Sequence, residues 1–186
     1  MTLIDRLNAK LRMGMRYKNL KQYLFKLPEA LGGQITYMQA SLGAVLIKAD
    51  GTQVDYGIVC KRKVTEAFVT FLVAQLVTET SVYGDFKYHD SGVGTTAENN
   101  NNTAIETTDG ESRATGTQVA GGTGDAPTYT SVGTISYTTT KAITEHGLFN
   151  DATAGTLMDR SVFSAINVVS GDSIQFTYVL TINSEA

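Results

Sequence analysis

A two-residue alternation near the C-terminus constrains the fold more than any other feature of this chain. In DSIQFTYVLTIN, Ile174, Phe176, Tyr178 and Leu180 alternate with Ser173, Gln175, Thr177 and Val179. Successive side chains of a strand point to opposite faces, so this pattern builds a strand with one apolar face. Such a face needs a second layer to cover it. Segments of similar length precede it: SRATGTQVA, TYTSVGTISYTTT, AITEHGLFN and TLMDRSVFSAI, parted by AGGTGDAP, NDATAG and VSGD. Strands at this spacing predict a mainly β chain, an antiparallel β-sandwich of jelly-roll or immunoglobulin-like type. The abundance of Thr, Gly, Ser and Asn agrees with short strands joined by polar turns.

Upstream, AVLIKADGTQVDYGIVC holds two apolar runs around Asp50-Gly51, which predicts a β-hairpin. VTEAFVTFLVAQLV follows. Its Val64, Ala67, Phe68, Phe71, Leu72 and Leu76 fall on one helical face, which predicts one packed helix at about residues 64–78. GDFKYHDSGVG begins a third strand. TTAENNNNTAIETTDGE is polar and asparagine-rich, and the span from Gly92 to Glu111 is expected to be an exposed, mobile loop without apolar anchors. Together these segments define a sandwich domain over residues 37–186.

Residues 1–36 differ in kind. Leu3, Leu7 and Leu11 recur every four positions, Leu20 and Leu24 repeat the spacing, and Pro28 ends the segment. This predicts a basic helical arm. Residues 1–63 carry 11 Lys/Arg against 4 Asp/Glu, whereas residues 64–186 carry 4 against 14. Leucines at helical spacing signal packing on protein rather than on nucleic acid. The expected assembly contacts are Leu3, Leu7, Leu11, Arg12, Arg16, Leu20 and Leu24. No signal peptide is expected, because Arg6, Lys10 and Arg12 interrupt the first leucines. No run approaches the roughly 18 apolar residues of a membrane span.

The region from Ile143 to Tyr178 holds a histidine, several carboxylates, an arginine and serines, the raw material of an active site. The spacing argues against one. His89 precedes Asp90 and His146 follows Glu145, and neither pair has the spacing that sets two metal ligands on one helix face. Neighbours on a strand face opposite ways, so Glu145 and His146 cannot share a site, nor can Asp159 and Arg160. Ser161 and Ser164 lie in a strand, without the sharp elbow of a nucleophile. GVGTTAE lacks the lysine of a phosphate loop. The single Cys60 allows no intrachain disulfide. The expectation is a non-enzymatic protein with no catalytic residues, no cofactor and no metal.

Four stretches carry a resemblance: GDFKYHDSGVGTTAE, ESRATGTQV, ITEHGLF and LMDRSVFSAINVVSGDSIQFTY. They resemble a group of tailed-bacteriophage virion structural proteins, over roughly Asp50 to Ile182. The resemblance implies a β-sandwich attached to a virus particle, as a capsid decoration (cement) protein or a neck or tail component. It implies partners among the major capsid protein or the neck and tail subunits, and a homo-oligomer. It assigns no residue a catalytic or binding role. A carbohydrate- or receptor-binding module is the alternative, with Asn99–Asn102 as its polar groups.

Overall fold

The structure, a computed structural model, describes residues 37–62, 64–76, 86–122 and 127–183. The residues from Met38 to Asn183 form one compact unit. Nine strands and a single helix occur among the described residues: β1 (Tyr37–Ile47), β2 (Gln53–Arg62), α1 (Glu66–Leu76), β3 (Tyr88–Gly92), β4 (Ala114–Thr115), β5 (Thr117–Gly121), β6 (Thr128–Ser136), β7 (Lys141–Phe149), β8 (Leu157–Val168) and β9 (Ser173–Asn183). They make two antiparallel sheets, a five-stranded one in the order β2-β1-β9-β6-β5 and a four-stranded one in the order β4-β3-β7-β8. The chain is mainly β, with its sheets facing one another as in a β-sandwich. The expected arm contacts Leu3, Leu7, Leu11, Arg12, Arg16, Leu20 and Leu24 lie outside the described residues.

One core joins the sheets. Leu42 and Leu46 of β1, Ile135 of β6 and Ile174, Phe176, Tyr178 and Leu180 of β9 meet Ile143 and Leu148 of β7 and Phe163, Ile166 and Val168 of β8. The alternation in β9 is therefore the alternation between core and outer face. The β1–β2 turn follows its sequence signal: Gly51 has φ +85, and the Asp50 carboxylate accepts a hydrogen bond from Thr52 N. Helix α1 starts at a cap. Thr65 Oγ1 accepts from Phe68 N and donates to the carbonyl of Leu157, which joins the helix start to β8. Phe68, Phe71 and Leu72 pack on the core, but Leu76 is 78 % exposed. The helical face expected from spacing is thus buried only in its first two turns.

Two expectations need correction. The stretch SRATGTQVA is not one strand. It divides at Gly116 into β4, which pairs with β3, and β5, which pairs with β6 of the other sheet. A Cβ at Gly116 would lie 2.8 Å from His89 Nε2 and 2.7 Å from the carbonyl of Val132, so only glycine lets the chain cross there. The segment after β3 is also not anchorless. Ile105 is buried against Phe149 and Leu157, and Asp109 is buried beside Ser91. Composition missed this because one isoleucine suffices when the sheet below leaves a recess. That recess is Gly147, where a Cβ would lie 2.8 Å from Ile105 Cγ2.

Gly133 of β6 faces the His89 ring from the opposite sheet, and a Cβ there would overlap the ring. Gly133→Ala is expected to destabilise by about 1–3 kcal/mol through overpacking. Urea denaturation of the two proteins checks this. Equal midpoints would mean that the His89 ring moves aside freely.

Candidate functional site

The polar residues singled out in the sequence converge on the four-stranded sheet, but on its two different faces. Register shifts decide which side each takes. In the β7–β8 pair the register shifts between Ile143 and Glu145, and again between Leu148 and Phe149. Ile143 and His146, an odd number of residues apart, both face the core as a result. Glu145 points to the outer face. Asp159 lies near Tyr178 on the core side, whereas Arg160 reaches outward to Glu145. The expected separation of Glu145 from His146, and of Asp159 from Arg160, is found.

The outer site is an ionic clamp. The buried Glu145 carboxylate accepts hydrogen bonds from Gly94 N at 2.9 Å, Glu106 N at 2.9 Å, Thr107 N at 2.8 Å and Arg160 Nε at 2.8 Å. Arg160 spends its other nitrogens on the same segment, donating to the Thr96 carbonyl, Asn102 Oδ1 and Glu106 Oε2. Glu106 in turn accepts from Thr96 N and Thr96 Oγ1. These hydrogen bonds to Thr96 hold the Glu106 carboxyl below its ordinary range. The segment from Gly92 to Thr108 is thereby a flap over the outer face. Val93 N donates to the Thr107 carbonyl, and Gly92 bridges Thr108. At its tip Asn99 N donates to Asn102 Oδ1 and Asn101 N to Asn99 Oδ1. The Asn100 carbonyl accepts from Glu66 N, one of the unpaired donors at the start of α1.

A second tie lies beside the clamp. Arg113 Nε donates to Asp90 Oδ2 at 2.9 Å, and its Nη1 donates to the carbonyls of Asp151 and Ala154. Its guanidinium lies 3.5 Å over the Phe149 ring. The β7–β8 turn is held to β3 in this way. Burial pushes the Asp90 carboxyl up against the opposing pull of Arg113.

The inner site is a chain of three groups inside the sandwich. Ser131 Oγ of β6 is 2.9 Å from His89 Nε2, and His89 Nδ1 is 3.0 Å from His146 Nε2. All three residues are 0 % exposed. His146 Nδ1 has no hydrogen-bond partner. A buried N–H left without an acceptor costs more than a lone pair left without a donor. The favoured arrangement therefore has His146 Nε2–H donating to His89 Nδ1, and His89 Nε2–H donating to Ser131. Burial holds His89 down at about 4, and holds His146 well below its ordinary value, with the proximity of His89 adding to the effect. Both imidazoles are neutral at neutral pH. A serine next to two histidines has the composition of a nucleophile with its base, yet none of the three touches solvent, so no substrate reaches them as they stand. Nearby, Ser161 Oγ donates to Asp159 Oδ1 at 2.6 Å, and Ser91 Oγ lies against Asp109 and Tyr137.

Among the described residues no three His, Cys, Asp or Glu side chains come together in a metal-holding group. For Arg160 the sequence suggests a pairing with a neighbour or a reach to another subunit, and the structure gives the intrachain pair with Glu145; the flap it holds and the Arg113 tie were not anticipated. One signal was present: the two clamp residues flank the turn NDATAG, and a hairpin there brings Glu145 and Arg160 within diagonal reach on one face. Comparison with protein-family models, curated proteins and solved structures finds no match to this chain.

Glu145→Gln would turn one oxygen into a donor facing donors and leave the Arg160 charge buried. The expected loss is about 3–5 kcal/mol. Limited proteolysis should then cut first between residues 94 and 107. An intact flap at unchanged stability would remove the clamp from this role.

The histidines set a pH dependence. Above about pH 6.5 they are neutral in both folded and unfolded chains. As the pH falls from 6.5 towards 4, the unfolded chain takes up protons that the folded core refuses, so stability falls with pH. His89 alone accounts for about 3 kcal/mol by pH 4. Asp90, with its raised carboxyl, opposes this in part. Urea midpoints between pH 7.5 and 4 should fall steeply, and less steeply in the His89→Gln, His146→Gln double variant. A flat profile in the parent protein would contradict the neutral pair.

Proposed function

We propose that this chain is a non-enzymatic structural component of a tailed-bacteriophage virion, and within the virion a capsid decoration protein. The observation that carries this reading is where the reactive groups are spent. His89, Asp90, Ser91, Arg113, Glu145, His146, Asp159, Arg160 and Ser161 all lie in the four stretches that resemble phage structural proteins. Those residues are engaged in holding strands, turns and flap together. The resemblance therefore falls on the scaffold. This is what a protein selected for a rigid, repeated body would share.

The charge pattern from residue 64 onward argues against nucleic-acid binding by that part of the chain, and the leucine spacing of residues 1–36 favours a protein partner for the arm. Residues 64–186 contain four basic side chains. Three of them form intrachain ion pairs: Arg113 with Asp90, Lys141 with Glu111, and Arg160 with Glu145 and Glu106. The fourth, Lys87, lies over the Tyr88 ring. Phosphate binding requires basic groups free to displace counterions. The nested pairing of β6 with β9 around β7 with β8 is the wrap of a jelly roll, which we favour over the immunoglobulin-like type. Residues 1–36 would be the anchor to the shell.

A second reading has its own observation. The flap tip at Asn99–Asn102 is exposed on most of its surface and fixed by its own amides, so it could present polar groups to a host glycan or receptor. Copy number separates the positions in the particle. Hundreds of copies mean decoration, and about 5, 6 or 12 mean neck or tail, by the closed symmetry of such rings. We expect hundreds by quantitative mass spectrometry of purified particles. Deleting residues 1–30 should leave a folded domain that no longer joins the particle. Absence from particles would overturn the virion role, and full incorporation of the truncated chain would overturn the anchor.

A further inference from the structure

We propose that the outer edge of β5 is a self-association surface, on which β5 of a second copy adds antiparallel about a two-fold axis at Val119. The five-stranded sheet ends in two strands, β2 and β5. The two edges are built differently. The register of β2 against β1 shifts twice, and Gly57 sits at φ +62. β2 also carries Asp55, Lys61 and Arg62. Bulges and charged side chains are the means by which sheets block edge-to-edge pairing. β5 has neither. Thr117–Gly121 pair with Val132–Thr128 of β6 without a shift. The whole stretch Ala114–Gly122 is free of charge and of proline. All five residues of β5 are exposed, and Val119 is 61 % exposed.

Charge selects a second copy as the occupant. Residues 37–186 have 16 acidic against 8 basic side chains, so two bodies repel over most approaches. The uncharged edge is where they meet without opposing like charges. In a register centred on Val119, that residue lies beside its own counterpart, Gln118 faces Ala120 and Thr117 faces Gly121. Main-chain hydrogen bonds supply the attraction, as in strand addition generally. Because the same strand serves both copies, the contact is isologous and closes at two. One sheet then runs through both molecules. The proposal does not depend on the virion role, which copy number tests separately.

The test uses the full chain. Sedimentation over a range of concentrations should show a dimer. Val119→Lys should abolish it, while Val119→Thr keeps it. Under mild oxidation Val119→Cys should form covalent dimers and Gln118→Cys should not. Directly opposed residues bring their Cβ atoms to about 4.5 Å at closest, the upper end of the about 3.5–4.5 Å that a disulfide spans, whereas diagonal neighbours lie well beyond that reach. Cys60 is buried and stays out of the reaction. Amide exchange in β5 should slow as concentration rises. A monomer at every concentration would overturn the proposal. So would a dimer that Val119→Lys leaves intact, or equal cross-linking at positions 118 and 119.

Discussion

The Glu145 carboxylate is the group on which the outer half of the molecule depends. A buried carboxylate is costly unless its charge is met by donors, and here three backbone N–H groups and a guanidinium meet it. The arrangement works in both directions. The flap satisfies the carboxylate, and the carboxylate gives the flap's backbone partners that no strand supplies. Room for this comes from glycine. A Cβ at Gly92 would lie 2.6 Å from Glu145 Oε1, and one at Gly94 would lie 2.7 Å from Glu106 Cβ. From there the order extends outward: Arg160 holds Thr96 and Asn102, the flap tip reaches Glu66 N, and Thr65 caps the helix that lies against β8.

The same sheet carries polar groups on both faces, which is uncommon for a layer buried on both sides. The inner chain of Ser131, His89 and His146 is tolerable because the imidazoles are neutral and three of their four ring nitrogens are hydrogen-bonded, His146 Nδ1 alone being left as a lone pair. The outer pair is tolerable because its charges are opposite and fully hydrogen-bonded. The sheet backbone keeps the two apart. Each network makes a different connection: the histidines join the four-stranded sheet to β6 of the other sheet, and the clamp joins it to the flap. The basic residues from position 64 onward are thus engaged within the chain.

Much of this was legible in the residues. The Asp50-Gly51 hairpin, the helix after it and the alternating final strand follow from local turn chemistry and periodicity, which act over a few residues. So does the placing of Glu145 and His146 on opposite faces. The fate of the flap was not legible. Its composition reads as solvated chain, and its order comes from Glu145 and Arg160, some 40 to 60 residues away. The division of SRATGTQVA was hidden for a similar reason. Only the approach of His89 from a neighbouring strand and of Val132 from the facing sheet makes Gly116 a crossing point.

The sequence by itself determined that the chain is mainly β, where most strands begin and end, and which residues of β9 face a core. Those properties arise from backbone sterics and from the two-residue period of side chains, both local. Tertiary structure decided what the polar residues are for. A carboxylate, an arginine and two histidines in strands are equally suited to catalysis and to scaffolding. Register shifts of one or two residues determine which of them meet, and those shifts are settled only when two sheets and a flap pack together.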